Sequence, residues 1–355
     1  MKHTKLIYIA LFVVFFSMIG SKTAFAKDDA GLGYTVQAIP SSKQIDPEKT
    51  YFYIQTAPGE EEELRVKIAS TQEEEVTVKV YASDAFTGDS GTIEYTQDSK
   101  LLDTTLQNPI TSMTKIETPS ITVGNFEEKE AIIKLTPPKE SYAGVKMGAL
   151  VFELDKGDNK ETVGNKFAYR VGLFTAETGD DFKDSKTLNF LDAKSTIKRG
   201  KKMILATLQN PEPKILSNIQ INAEVKEKGK QAVLKRKKVE NYTLAPNSHF
   251  DFEIDWGTSK VKAGTYVLTM NISNNYNDWK FEKEFTISGE QAKKMNDESG
   301  FKIITPTWIK IVTILCFVGM FLVMVILVVR RKEMESEWKK RRNRKKRKKK
   351  KKEGS

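Results

Sequence analysis

Cysteine and histidine are almost absent from this chain. Its 355 residues include one cysteine and two histidines. Because His3 belongs to the extreme N-terminus, a histidine-based metal cluster or catalytic base would depend on His249 alone. Cys316 lies inside an apolar run, where a thiol behaves as a small apolar group. These counts exclude a disulfide framework, a zinc-thiolate site and a CxxC redox centre, and we expect no metal and no other cofactor.

Recognisable catalytic motifs are also missing. The sequence contains no Gly-x-Ser-x-Gly, no phosphate-binding glycine loop and no HExxH. Carboxylate pairs such as Glu60 and Glu63 lie in turns, where solvated carboxylates collect without a function. Residues 84–91 have the residue types of a calcium loop without EF-hand spacing, which favours a plain turn. His249 lies at the head of a predicted strand, where a histidine is more often a surface or edge residue than a catalytic base. Since the other candidates also have plain structural explanations, we expect no catalytic residue and no enzyme activity.

Excess positive charge is absent from the body of the chain, although the whole chain has a formal net charge of +11. Residues 330–355 contain sixteen basic and four acidic side chains, and residues 1–26 add three lysines. The remaining residues, 27–329, hold 39 basic and 43 acidic side chains. No aromatic residue after Trp338 interleaves the basic tail, as base stacking would require. We therefore expect no nucleic-acid partner.

The first 26 residues have the pattern of a secretory signal peptide. A short basic region, residues 1–5, precedes the charge-free apolar run 6–19. Ala24 and Ala26 supply the small residues before a cleavage site. The apolar run is shorter than the roughly 20 residues of a membrane-spanning helix, which disfavours an uncleaved anchor. We expect cleavage after Ala26.

A second apolar run, near the C-terminus, predicts a transmembrane helix over residues 308–329. Residues 311–329 are uncharged and would form roughly 28 Å of helix, which matches the hydrocarbon core of a bilayer. Trp308 stands where an interfacial aromatic residue belongs. The polybasic tail 330–355 begins directly afterwards with Arg330, Arg331 and Lys332. Basic residues after a span favour the cytoplasmic side, so we expect a single-pass protein with an extracellular body and a cytoplasmic tail contacting anionic lipids.

The segment between these two ends has the pattern of β-strands. Apolar and other residues alternate with period two, for example in residues 64–68, 145–151, 219–225 and 281–287. Such alternation is typical of half-buried antiparallel sheets. Trp256 and Trp279 lie on alternating strands, which favours the core of a sandwich and leaves an exposed ligand contact as the alternative. No amphipathic helix of convincing length is predicted before residue 289.

Two segments combine a turn, a tyrosine and a following strand. Tyr142 follows a Pro-Pro turn, and Tyr266 follows a Lys-Ala-Gly turn. In immunoglobulin-like sandwiches, a tyrosine at such a corner donates its hydroxyl hydrogen bond back to the turn. We therefore predict an all-β body of two tandem immunoglobulin-like β-sandwiches, followed by one transmembrane helix.

The predicted domain boundaries follow composition. The first sandwich spans residues 34–155 and the second spans residues 165–288, with the junction in the charged loop 155–164. Residues 289–307 are polar and unpatterned, so they are expected to form a juxtamembrane stalk.

In this order of elements the chain resembles the WxL-interacting proteins of low-GC Gram-positive bacteria. The segments that carry the resemblance are 51–59, 82–88, 91–95, 137–144 and 147–149 in the first sandwich, and 194–200, 208–211 and 263–266 in the second. The resemblance implies a surface protein of the cell-wall zone, with a peptidoglycan-binding first domain and a host-binding second domain. It also implies association with secreted WxL-domain proteins.

Two other functions stay open at this point. One is a single-pass signalling receptor, although the tail is short and uniformly basic for that role. The other is a wall-active hydrolase. The leading hypothesis is a non-catalytic binding and scaffold protein, and the sequence does not indicate which strand or loop binds the ligand.

Overall fold

The computed structural model describes residues 33–155, 167–179, 182–301 and 306–352, with side chains through residue 343. The predicted signal peptide and most of the predicted junction loop lie outside these residues. The described chain forms two compact units. The first contains nearly all strands of both sandwiches, and the second contains residues 197–202, 256–262 and 290 onward.

Ten strands build the first sandwich. They are β1 (Tyr34–Ile39), β2 (Phe52–Gln55), β3 (Glu62–Ser70), β4 (Val76–Thr87), β5 (Ile93–Thr96), β6 (Thr114–Ile116), β7 (Ser120–Val123), β8 (Glu128–Leu135), β9 (Lys146–Leu154) and β10 (Ala168–Ala176). One sheet has the order β1-β3-β8-β6, and the other has the order β2-β10-β9-β4-β5, with β7 also paired to β4. All these pairs are antiparallel except β2 with β10. A one-turn helix, α1 (Ile110–Met113), precedes β6.

The core of the first sandwich follows from the period-two pattern. Leu64, Val66 and Ile68 on β3 are at most 1 % exposed, and they belong to one cluster with Phe152 of the opposite sheet. Full burial of such a side chain contributes about 1.5–3 kcal/mol to stability. The hydroxyl of Tyr34 donates to the carbonyl oxygen of Phe152 at 2.7 Å, and burial raises the pKa of Tyr34 to about 12.

Seven strands build the second sandwich. They are β11 (Asn189–Lys198), β12 (Lys201–Asn210), β13 (Leu216–Glu227), β14 (Val233–Leu244), β15 (Ser248–Asp255), β16 (Gly264–Ser273) and β17 (Asp278–Ile287). One sheet has the order β11-β12-β15, and the other has the order β14-β13-β16-β17. Their inward residues, such as Ile204, Phe252 and Leu268, are fully buried. The predicted all-β fold of two sandwiches is thereby confirmed.

Strand β10 follows the predicted junction in sequence, but it belongs to a sheet of the first sandwich, which precedes that junction. It pairs antiparallel with β9, with Val171 opposite Leu150, and parallel with β2, with Leu173 opposite Phe52. Burial of Val171 and Leu173 in the first core explains this placement. The predicted junction loop 155–164 therefore falls between two neighbouring strands of one sheet, and the change of sandwich comes after Ala176.

A helix stands where a stalk was predicted. Helix α2 (Gly289–Glu298) buries Ala292 and Met295. The Asn296 side chain accepts from the backbone N–H of Val261 at 2.9 Å and donates to the carbonyl oxygen of Val261 at 2.8 Å. Only two apolar positions, spaced by three residues, mark this helix in a polar sequence. The prediction of an unpatterned stalk over residues 289–307 is therefore wrong for residues 289–298.

The C-terminal helix, α3 (Thr307–Lys352), contains the predicted membrane span. Its apolar residues 311–329 are exposed on every side. By length and composition, the part Thr307–Asn343 is able to cross a membrane. An apolar helix that leaves its whole circumference uncovered is expected in lipid rather than in water.

Candidate functional site

A pocket of about 510 Å³ opens at the end of the first sandwich that adjoins the second. Its lining comes from β2, from the turn before β9, from the segment that follows β10 and from the second sandwich. The lining residues are Tyr53, Ser141, Tyr142, Ala143, Gly144, Ala176, Glu177, Thr178, Phe182 and Lys214. Such a volume is typical of small-ligand sites.

Tyr142 joins the strands at the base of the pocket. Its hydroxyl donates to Thr175 Oγ1 at 2.8 Å and lies 2.7 Å from Thr56 Oγ1, which donates in return. Burial raises the pKa of the Tyr142 phenol, so the hydroxyl stays neutral at physiological pH. The predicted hydrogen bond back to its own turn is wrong for Tyr142, because the hydroxyl reaches the ends of two strands instead.

Glu177 fixes the wall of the pocket. Its Oε1 accepts from the backbone N–H of Tyr142 at 2.9 Å, and its Oε2 accepts a short hydrogen bond from Ser141 Oγ. Both carboxylate oxygens therefore hold the turn that contains Tyr142. This arrangement suits a structural role for Glu177 better than a proton-transfer role.

Aromatic rings form the floor of the pocket. The rings of Tyr53 and Phe182 meet edge to face, with centroids 5.2 Å apart. Val145 and Ala176 complete the apolar cluster beneath them. Lys214 Nζ lies 2.8 Å from Asp184 Oδ1, and this hydrogen bond lowers the pKa of Asp184. The pocket thus combines an apolar floor with polar and charged groups at its edge.

The backbones of the two sandwiches approach each other closely beside the pocket. The backbone N–H of Val145 donates to the carbonyl oxygen of Pro213 at 2.8 Å. Gly144 has φ +73°, and a Cβ at this position would lie 2.2 Å from the Pro213 carbonyl oxygen. Only glycine combines that backbone conformation with that contact.

A buried carboxylate links the sandwiches at a second point. Asp103 has a side chain that is 3 % exposed, and it lies between β5 and α1 of the first sandwich. His249 Nδ1 lies 2.7 Å from its Oδ2, and Gln209 Nε2 donates to both carboxylate oxygens at 3.0 Å. Burial alone would raise the pKa of Asp103, but hydrogen bonds from Thr105, Gln209 and His249 hold it below its ordinary value.

A third contact between the sandwiches consists of buried hydroxyl groups. Thr87 Oγ1 and Ser248 Oγ lie 2.6 Å apart, and the backbone N–H of Ala245 donates to Thr87 Oγ1 at 2.9 Å. Ala245 also belongs to a small apolar cluster with Ala85 and Met147. These contacts join the two sandwiches through interior groups rather than through surface ion pairs.

The candidate residues from the sequence have different surroundings. His249 is the second residue of β15, at the head of a strand as expected, but its contact with Asp103 was not anticipated. Trp256 is 4 % exposed, which confirms its core position, whereas Trp279 is partly exposed. Asp84 is 1 % exposed and accepts from the backbone N–H and hydroxyl of Thr111. Within the described ranges, no group of three or more His, Cys, Asp or Glu could hold a metal ion.

The predicted anchoring residues all lie on α3. Trp308 is in its first turn and 64 % exposed. Arg330, Arg331 and Lys332 continue the same helix directly after the apolar stretch. Arg331 Nε lies 3.2 Å from Glu335 Oε1, one turn further on. Their role at a membrane surface stays a prediction.

The sequence interpretation did not single out Glu177 or Phe182. Neither residue belongs to a catalytic or binding motif. The available signal was an isolated phenylalanine in the charged stretch 180–184. Because residues 53, 142 and 182 are far apart in sequence, only the fold brings them together.

Comparisons with solved structures give only distant likenesses. The YadV chaperone is 11% identical with a TM-score of 0.28, covering 72% of this chain and 100% of that chain. A CsuC-CsuE chaperone-tip adhesion subunit complex from Acinetobacter baumannii is 11% identical with a TM-score of 0.26, covering 61% and 89%. A family 123 glycoside hydrolase from Clostridium perfringens is 12% identical with a TM-score of 0.25, covering 40% and 26%. At these scores, none of the three supports an inference about function.

Comparison with curated proteins gives no match. Two family models, in contrast, match consecutive parts of the chain. Residues 34–154 match the peptidoglycan binding domain of the WxL Interacting Protein family, and residues 158–297 match its host binding domain. The boundary between the two family matches lies before β10, whereas the structural boundary between the two sandwiches lies after it. Both matched families are binding domains, and together they cover most of the sequence; the chain belongs to the WxL Interacting Protein family.

Proposed function

We propose that this protein is a non-catalytic surface protein that binds the cell wall through its first sandwich and holds its partners near the membrane. The second sandwich would bind host ligands and secreted WxL-domain proteins. Helix α3 would anchor the chain, with its polybasic end in the cytoplasm and in contact with anionic lipids. The two family matches and the apolar helix support this proposal.

The pocket at the end of the first sandwich, which Phe182 and Lys214 of the second sandwich complete, is the observation that carries the wall-binding part of the proposal. Peptidoglycan combines sugar rings, amides and carboxylates. The ring of Phe182, which packs edge to face on the buried Tyr53, offers an apolar surface for a sugar face, while Ser141 and Thr178 contribute hydroxyl groups. Lys214, which is paired with Asp184, adds a hydrogen-bond donor at the edge of the pocket. One sugar unit or one short peptide has a size that fits about 510 Å³.

Association with WxL-domain proteins would use a different surface. Strands β14 and β17 are the outermost strands of the four-stranded sheet in the second sandwich. Edge strands offer backbone groups to which an extended segment of another protein can add. This part of the proposal needs no cofactor.

Retention of the protein on isolated cell walls tests the proposal. We expect the wild-type body to sediment with walls and the Phe182→Ala variant to bind roughly tenfold more weakly, because the variant removes the floor of the pocket. Phe126→Ala is the matched control, since Phe126 is 63 % exposed and lies away from the pocket. Equal retention of the two variants would contradict the assignment of the pocket.

The same assay separates the competing functions. A binding protein leaves the wall intact, so the supernatant should contain no soluble wall fragments. Fragment release would indicate a hydrolase and contradict the non-catalytic proposal.

A further inference from the structure

Three segments of the second compact unit differ in charge from the rest of the body. These segments, residues 197–202, 256–262 and 290–300, are here called the basic end. We propose that the basic end is a docking surface for the anionic head groups of the bilayer in which α3 is embedded. The inference rests on the proposed anchoring by α3.

The basic end is strongly positive in an otherwise acidic body. Its three segments contain eight basic and three acidic side chains, whereas residues 27–329 as a whole contain 39 and 43. Its exposed or half-exposed cations include Arg199, Lys201, Lys260, Lys262, Lys293 and Lys294. The acidic side chains, Glu290, Asp297 and Glu298, all lie on α2. Each lysine or arginine near an anionic membrane surface adds to the attraction.

The three segments of the basic end are held together by internal hydrogen bonds. Lys202 is 2 % exposed, and its Nζ donates to the carbonyl oxygens of Thr258 and Ser259 at 3.3 and 2.6 Å. The double hydrogen bond of Asn296 with Val261 attaches α2 to the segment 256–262. The cations therefore stand on a preformed surface rather than on a flexible tail.

The segment that leads to α3 contacts the basic end at Gly200 and Lys201. Ser299 Oγ and the backbone N–H of Gly300 both donate to the carbonyl oxygen of Gly200 at 3.1 Å. Gly200 is in the turn between β11 and β12, and basic residues flank it on both sides. The Nζ of Lys201 lies 5.3 Å from the ring centroid of Phe301.

The connection to α3 is short. Residues 301–306 lie between Gly300 and the start of α3 at Thr307. Six fully extended residues span at most about 20–22 Å. Attraction between exposed charges acts over about 8 Å at physiological ionic strength. Residues 301–306 therefore tether the basic end close enough to reach the head groups. The tether raises the effective concentration of the head groups around the basic end, which favours the bilayer over a soluble polyanion.

Hydrogen exchange on the full chain in lipid nanodiscs tests the inference. One set of discs contains phosphatidylglycerol and the other contains only phosphatidylcholine. We expect exchange of the amides in residues 198–201 and 258–262 to be roughly tenfold slower in the anionic discs than in the phosphatidylcholine discs. A factor of this size corresponds to the attraction of one or two lysines to the anionic surface. Addition of 1 M salt should remove this difference from the unaltered protein.

Charge variants supply the matched comparison. Arg199→Gln, Lys293→Gln and Lys294→Gln together should weaken the lipid dependence, because they remove three of the six exposed or half-exposed cations. Lys49→Gln, Lys115→Gln and Lys129→Gln remove the same charge from exposed positions of the first sandwich and should preserve it.

Two results would overturn the docking proposal. One is equal exchange in both lipids, and the other is protection by a soluble polyphosphate without protection by anionic discs. Flotation of the protein with the discs, measured separately, reports whether α3 anchors the chain. A protein that fails to float contradicts the anchoring itself, whereas one that floats without lipid-dependent protection contradicts only the docking.

Discussion

The junction between the two sandwiches and the basic end of the second sandwich use different chemistry. At the junction, buried polar groups and close backbone contacts join the two domains, as at Asp103 and Gly144. At the basic end, the buried Lys202 holds the framework through hydrogen bonds, while cations such as Arg199 and Lys293 stay exposed. Interior contacts fix one geometry, whereas exposed like charges suit a partner outside the protein.

A substitution at Gly144 should break the junction most strongly. Gly144→Ala would place a Cβ 2.2 Å from a backbone oxygen that cannot move freely, and it would strain a backbone at φ +73°. We expect a loss of about 3–4 kcal/mol in the free energy of unfolding, measured by urea denaturation. Gly229→Ala is the control, because Gly229 also has positive φ but has nothing within 4 Å of the added Cβ. Its expected loss is about 1–2 kcal/mol, and equal losses would contradict a close contact at the junction.

Removal of the buried charge at the junction should have the next largest effect. Asp103→Asn weakens hydrogen bonds to Gln209 and His249, and we expect a loss of about 1–3 kcal/mol in the free energy of unfolding at pH 7. Because the pKa of Asp103 is lowered in the folded state, its ionisation stabilises the fold above the unfolded pKa near 4. This contribution is lost as the pH falls through the lowered, folded pKa.

The effect of Asp103→Asn on stability should therefore depend on pH. The stability difference between the wild type and Asp103→Asn should be full at pH 7 and should shrink in acid below about pH 4. Asp192→Asn, at an exposed position, is the control and should change stability by less than about 0.5 kcal/mol. A difference that stays constant from pH 7 to pH 2 would contradict the role of the Asp103 carboxylate.

At the basic end, the expected effect on stability is smaller and local. Asn296→Ala removes two hydrogen bonds to Val261. We therefore expect the free energy of local opening of α2 to fall by about 1–2 kcal/mol. Hydrogen exchange of the amides in α2 should accelerate, while exchange in the first sandwich stays unchanged. Acceleration throughout the body would show that the basic end is coupled to the junction.

Chelation should have the smallest effect of all. The proposed pocket offers rings, hydroxyl groups and a lysine rather than a set of metal ligands. Binding of the body to isolated walls should therefore be the same with and without EDTA. A loss of binding in EDTA would show that a metal ion is part of the site.

The strands were predictable because their burial follows the period-two alternation. Residues 64–68, for instance, place every second side chain in the core. Helix α2 was not predictable in the same way, since Ala292 and Met295 are its only buried residues. Strand β10 was assigned to the second sandwich because a charged loop resembles a domain linker in composition, and only its pairing with β2 and β9 reveals its sheet.

The candidate site could be predicted only in part. Tyr142 was singled out by its turn, but its partners Thr56 and Thr175 are distant in sequence. The pairing of His249 with Asp103 spans 146 residues and leaves no local pattern. Contacts of this kind depend on how two folded domains meet, which local periodicity does not encode.

We propose that the folded body recognises the wall and that α3 retains the chain at the membrane. The most direct measurement compares wall affinity of residues 27–301 with that of the full chain in detergent, by surface plasmon resonance on immobilised walls. We expect affinities within about twofold, because none of the residues that line the pocket belongs to α3, and all of them except Lys214 precede that helix by more than 120 residues. Loss of wall binding in the folded, truncated body would contradict it.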